Sequence, residues 1–273
     1  MRKYVYPIII LACAAIYYVY QSNEDGAYAE ENYSENNFLK RDANGDGIKS
    51  LSRKDFLPTS NNQIVHHHTY SLSYNEQHEQ AEWTAHVLRT RDITNSDYNR
   101  PYFEIDNKVT TGAAHWRNYK KSGYDKGHLV PAGDRKSTKA AYDETFLTSN
   151  ISPQLHDFNA GIWNTLEQKI RYYAQSYDEV YVITGPILKD NLKYIGTEQV
   201  SVPEHYYKIL YRYDAAGSKM LAFLIPHKKS NKSIYEFITS VDEIEKLTGT
   251  DFFAQLPDGM EEQLEAGKSF KGW

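Results

Sequence analysis

Tyr124-Asp125-Lys126-Gly127-His128-Leu129-Val130-Pro131-Ala132-Gly133-Asp134-Arg135, followed after a short gap by Thr148-Ser149-Asn150-Ile151-Ser152-Pro153-Gln154, is the stretch on which the reading of this chain turns. In the first segment a histidine follows a glycine among closely spaced charges, and a proline ends the run. The second leads into a helix that the pattern starts at Asp157, a residue type whose side chain caps helix N-termini. That helix carries Asn159, Trp163, Glu167 and Arg171. Residues four apart drift only about 40° around a helix, so these four form one slowly winding face. The apolar stripe Ile162, Leu166, Ile170 and Tyr173 is displaced by one residue, about 100° of rotation. It can pack on a sheet while the polar face looks into a cleft.

Outward from these segments, short β-rich runs mix with helical periodicity. Residues 64–72, 181–184, 206–213 and 220–225 read as strands, and residues 76–88, 157–173 and 233–247 as helices. No internal repeat or second linker interrupts them, so the pattern predicts one α+β domain over residues 63–273. With 40% hydrophobic and 14% aromatic residues, including 24 Tyr, the chain has ample material for a core, which excludes disorder throughout. A formal net charge of -5 argues against wholesale electrostatic capture of nucleic acid. A polyanionic substrate would then need a local basic patch or a metal.

At the N-terminus, Met1-Arg2-Lys3 precedes an apolar run from Tyr4 to Tyr20, the layout of an export signal. The run is at the short edge of a membrane span and no clean cleavage site follows it. Residues 1–24 therefore read as a signal peptide or an uncleaved signal anchor, which would make the membrane a partner. Cys13, the single cysteine, sits behind Ile10-Leu11-Ala12 as at a lipoprotein acylation site, but the apolar residues after it argue against lipidation. The exported part holds no cysteine, which excludes disulfides and thiolate chemistry there. Residues 25–62, polar and without period, read as a tether. Within it Asp42, Asn44 and Asp46 before Gly47 imitate a calcium loop, but Arg53 stands where its twelfth-position carboxylate belongs, so an Asx/Gly turn competes. The expected location is extracytoplasmic: periplasmic, secreted or membrane-anchored.

Asp125-Lys126-Gly127-His128, then Ser149 to Gln154, then Asn159, Trp163, Leu166 and Glu167, resemble in order and spacing the motifs of the DNA/RNA non-specific endonuclease family of ββα-metal nucleases. The resemblance extends from about residue 70 to about residue 257. It implies the ββα-metal (His-Me finger) fold, with a central, mainly antiparallel sheet flanked by helices. It also implies Mg²⁺-dependent hydrolysis of DNA and RNA, Mn²⁺ or another divalent ion being an alternative, and leaves a homodimer open. By the same resemblance His128 is the general base, a role that suits an imidazole titrating near neutrality. Asn159 is the metal ligand, an amide oxygen of the kind Mg²⁺ accepts. Glu167 holds metal-bound water, Arg171 orients that carboxylate or touches the substrate backbone, and Asn150 holds the histidine loop. Arg100 falls roughly where the family carries a phosphate-binding arginine. Lys126 departs from the motif, which has arginine there, and offers a point charge instead of a bidentate fork.

Plainer readings stand beside these. An isolated histidine is usually a satisfied core or loop residue, and Glu167 with Arg171 is the spacing of an ordinary surface ion pair. His66-His67-His68 invites a metal, but adjacent strand residues point to opposite faces. Trp163, at the border of the apolar stripe, is more often core than a base-stacking platform. Lys228 and Lys229 after His227 form a basic rim or a solvated turn. Two other functions compete: a catalytically weak or inactive nucleic-acid-binding module, which loss of His128 or Asn159 would mark, and a tethered interaction protein, which would act without metal.

Overall fold

The computed structural model describes Lys54, residues 56–214 and residues 217–273. The leader and the Asp42, Asn44 and Asp46 loop lie outside the described residues. The fold below is that of the compact unit formed by Leu51–Arg212, Lys219–Lys271 and Trp273; the second unit, Met1–Ser50, Tyr213–Ser218 and Gly272, lies mostly outside them.

Strands β1 (Gln63–His66), β2 (Ser71–Asn75) and β3 (Gln80–Arg89) open the domain. A small antiparallel pair, β4 (Asp125–His128) and β5 (Ile151–Gln154), brackets helix α1 (Lys139–Glu144). Helix α2 (Asn164–Tyr177) then leads into β6 (Glu179–Pro186). The pair β7 (Lys193–Ile195) and β8 (Val200–Val202), strands β9 (His205–Asp214), β10 (Gly217–Pro226) and β11 (Ile238–Thr239), and helices α3 (Val241–Thr248) and α4 (Asp258–Glu265) complete it. Seven strands form one sheet in the order β1-β2-β3-β6-β9-β10-β11, and the β1–β2, β2–β3, β3–β6, β6–β9 and β10–β11 pairings are antiparallel. This is the α+β architecture, with a mainly antiparallel central sheet, that the resemblance implies.

The middle of the sheet is covered on both sides, and strand alternation explains how. In β6, buried along its whole length, Val180 and Val182 join the core that includes Leu166, Ile170 and Tyr173 of α2. Tyr181, on the opposite face, meets Phe56 at 5.8 Å and Phe253 at 6.1 Å between ring centroids. The apolar stripe expected on the 157–173 helix is therefore buried. Packing also reaches back to Phe56, whose carbonyl accepts the Tyr181 hydroxyl, so the domain begins ahead of the expected boundary at residue 63.

Several expected elements differ. Residues 76–88 are not a helix: a turn with Glu79 at φ 54° leads into β3, which pairs with β2 and β6. β3 is largely buried on both faces, with Ala81, Trp83, Ala85 and Val87 on one and the polar Gln80, Thr84 and His86 on the other. Residues 64–72 are the hairpin of β1 and β2 rather than one strand. The segment 233–247 splits into a 3-10 turn at Ile234–Phe237, β11, and α3, which Ser240 caps by accepting from the Glu243 N–H. Among the described residues no helix is long and apolar enough to cross a membrane.

Candidate active site

The β4–β5 pair and the turn after it build the site. Register places Asp125 opposite Gln154, Lys126 opposite Pro153, Gly127 opposite Ser152 and His128 opposite Ile151. A Cβ on Gly127 would overlap the fully buried Gln154 side chain, so the close pairing that carries His128 requires glycine. Period-two alternation turns Lys126 and His128 to one face and Asp125 to the other.

His128 lies against two phenyl rings, 5.4 Å from Phe103 and 4.9 Å edge-on from Phe146. Phe103 is delivered by backbone hydrogen bonds of Glu104 N–H to the Phe146 carbonyl and Thr148 N–H to the Glu104 carbonyl. Nε2 of His128 is enclosed without a hydrogen-bond partner. Burial, helped by the Arg100 charge, drives its pKa down to about 3, so the imidazole is a neutral base near pH 7. Arg100, though exposed, holds its guanidinium 5.5 Å from the Phe146 ring and 5.8 Å from the Phe103 ring, and the Lys126 ammonium lies 5.5 Å from Phe103. Two cations thus ring the aromatic bed of the histidine.

Asn150 holds the loop that follows. Its fully buried amide donates to the carbonyls of Val130 at 3.0 Å and Thr145 at 2.9 Å, and accepts from the Val130 N–H at 2.9 Å. Its backbone carbonyl takes the Leu129 N–H at 2.9 Å. Asn150 is thereby a positioning residue, fully buried and with both amide N–H groups spent on the backbone.

Asn159 sits in a widened helical turn, Phe158–Trp163, in which Gly161 leaves helical geometry at φ -96°, ψ -113°. This departs from the expected continuous helix. Asp157 has α-helical backbone angles and makes no side-chain cap; its carboxylate lies 3.3 Å from Lys229 Nζ instead. Trp163 is core, fully buried and stacked 5.3 Å from Phe158. Asn159 Nδ2 donates to Asp125 Oδ2 at 3.1 Å. Because a carboxylate only accepts, this bond fixes which end of the amide faces Asp125 and leaves the oxygen for another partner. An oxygen presented in this way fits a hard divalent cation. Asp125 also takes His156 Nδ1 at 2.9 Å.

Glu167 and Arg171 lie along α2, but their expected mutual ion pair is not the contact made. Arg171 Nη1 binds Asp134 Oδ1 at 2.8 Å. Burial raises Glu167 to about 7 against the pull of the Lys208 charge. Lys208, almost fully buried in β9, donates to Thr184 Oγ1 at 2.9 Å and to the Leu129 carbonyl at 3.4 Å, with its ammonium 4.7 Å from the Trp163 ring. Burial lowers its pKa, and Glu167 opposes that. Asp134 also lies 3.4 Å from His86 Nε2 in the core, and His86 and Arg171 hold its pKa down against burial.

The expected residues thus fall into three groups: His128, Arg100 and Lys126 around the phenyl rings; Asn159 oriented by Asp125; and Glu167 with Arg171 beside Lys208 and Asp134. Sequence reasoning assigned no role to Asp125, Asp134 or Lys208, and the available signal for Lys208 was a lysine among the apolar and aromatic residues Tyr206, Tyr207, Ile209, Leu210 and Tyr211. It likewise overlooked His227, which accepts the Leu155 N–H on Nε2 at 2.7 Å and holds the Pro203 carbonyl through Nδ1 at 2.8 Å, pinning the corner between β5 and the Asn159 turn. The histidine run behaves as alternation requires: buried His67 binds Asp106 at 2.9 Å, while His66 turns to Ser71.

The model of the DNA/RNA non-specific endonuclease family matches residues 49–259. Mitochondrial nuclease EXOG of Danio rerio is 34% identical over 229 residues, covering 78% of this chain and 67% of its own. Human mitochondrial endonuclease G is 30% identical over 209 residues, covering 71% of this chain and 70% of its own. A chain in a crystal structure of the EndoG/EndoGI complex superposes with a TM-score of 0.70 at 29% identity, covering 76% of this chain and 91% of that one. This chain spans 67% of the Danio EXOG relative but only 62% of the human one. On the family match and these likenesses together, the chain belongs to the DNA/RNA non-specific endonuclease family, a family of phosphodiester hydrolases.

Proposed function

We propose that this chain is a divalent-metal-dependent endonuclease that hydrolyses phosphodiester bonds of DNA and RNA without sequence preference. One observation carries the reading: a neutral imidazole on an aromatic bed with two cations beside it, three residues after a carboxylate that takes the Asn159 amide N–H and leaves its oxygen for another partner. His128 takes the proton of the attacking water. Arg100 and Lys126 attract the phosphate through its charge alone, which carries no base information and so gives no sequence preference. Asn159 would hold the metal, Mg²⁺ by preference, with Mn²⁺ or another divalent ion as the alternative, and Glu167 would hold water beside it. Bound there, the ion supplies charge stabilisation at the scissile phosphate and the leaving oxygen. Arg171 acts through Asp134 in holding the α2 face in place. The apolar run at residues 4–20 supports action outside the cytoplasm, to be checked by fractionating cells that express the tagged chain.

The test is plasmid nicking and RNA degradation by the full chain in Mg²⁺ and in EDTA. Both substrates should be cut only with metal, and folded His128→Ala should lose about 10²–10⁴ in rate. Asn159→Ala should lose activity with a raised metal requirement. Nucleic-acid binding without cleavage by the wild type would instead make the chain an inactive binding module.

A further inference from the structure

We propose that Asp242, Glu245 and Glu265 form a calcium site that ties α4 to α3, with no residue shared with the catalytic groups. Asp242 and Glu245 are three apart on α3 and so share one face, and Glu265 closes α4. One oxygen from each of the three carboxylates lies within 4.8 Å of the others. An ion between them can reach all three at bond lengths of about 2.3–2.6 Å, those of Ca²⁺ to oxygen, with small side-chain adjustments.

Proximity of acids alone would mean little, since exposed carboxylates often cluster. Glu265 is different. It is only 6% exposed, and its Oε1 is enclosed with no hydrogen-bond partner. An enclosed carboxylate oxygen without a donor is costly unless a cation meets it. After burial, the largest influences on Glu265 come from Glu245, Glu261, Asp242 and Asp251, all acids and all raising its pKa, to about 9. The one lysine on α3, Lys246, turns to Glu243 at 3.2 Å. Glu245 keeps one oxygen on the Phe252 N–H at 2.8 Å, which steadies it as a ligand. An all-carboxylate donor set with irregular spacing suits Ca²⁺, which accepts six to eight oxygens in flexible geometry, better than Mg²⁺, which demands a near-ideal octahedron.

The test uses the full chain in an Asn159→Ala background, freed of metal with EGTA, with bound Ca²⁺ counted by equilibrium dialysis and the thermal midpoint followed. Ca²⁺ should raise the midpoint, and Asp242→Asn or Glu265→Gln should each remove one bound equivalent or weaken it at least about tenfold. Glu265→Gln should melt higher than its parent in EGTA, because it removes a buried acid, and should no longer respond to Ca²⁺. A parent midpoint unmoved by Ca²⁺, or an unchanged Ca²⁺ response in both variants, overturns the site and leaves a cluster held by shared protons. Counting the equivalent lost in both variants separates this site from any ion held at Asp42, Asn44 and Asp46.

Discussion

At the scale of single residues, the site depends on which lone pairs are left unspent. His128 is surrounded by phenyl rings instead of acceptors, so its basicity is set by burial and by the Arg100 charge. The pKa is lowered on folding, so below the ordinary value of 6.5 the unfolded chain binds the extra proton and this histidine subtracts stability as pH falls towards about 3. NMR titration of the ring should accordingly show His128 neutral at pH 5, and Arg100→Ala should move its midpoint upward. A midpoint near 6.5 in the wild type would contradict the lowering by burial. Asn159 illustrates the opposite device, in which a neighbouring carboxylate spends the amide nitrogen so that the oxygen is free.

At the scale of elements, the decisive piece is the corner where β5 passes into the widened turn at Phe158–Trp163. The motif spacing was legible, yet the continuous α-helix inferred from it was not what forms, because Gly161 departs from helical angles and Trp163 is drawn into the core. His227, distant in sequence, closes this corner by holding the Leu155 N–H and the Pro203 carbonyl at once. His227→Ala should cost about 1–3 kcal/mol in denaturant-melt stability, the penalty for an unpaired buried amide. It should also raise the metal concentration needed for half-maximal cleavage while leaving the His128 titration in place. β3 shows a related override: the residues from Gln80 to Val87 alternate polar and apolar as a strand does, and pairing with β2 and β6 fixes that conformation against the helical period over residues 76–88.

At the scale of the whole molecule, the sheet is held by two apolar layers, and the second is anchored from a segment that composition alone assigns to a tether. Phe56, 5% exposed, meets Tyr211 at 5.1 Å and Phe253 at 5.9 Å, so Phe56→Ala should lower unfolding free energy by about 3–5 kcal/mol in a chemical melt. A chain truncated to begin at residue 63 should be destabilised at least as much, because it also loses Phe56. The α+β class, the family motifs and the residue types at His128, Asn150, Asn159 and Glu167 are legible along the chain, because local spacing and residue chemistry are one-dimensional properties. Folding alone sets Arg171 on Asp134 instead of Glu167, aims Asn159 through Asp125, and puts the buried Lys208 ammonium beneath the histidine loop. Each of these depends on burial and on partners brought together from distant parts of the chain, and the energy of a buried charge is set by what surrounds it in space.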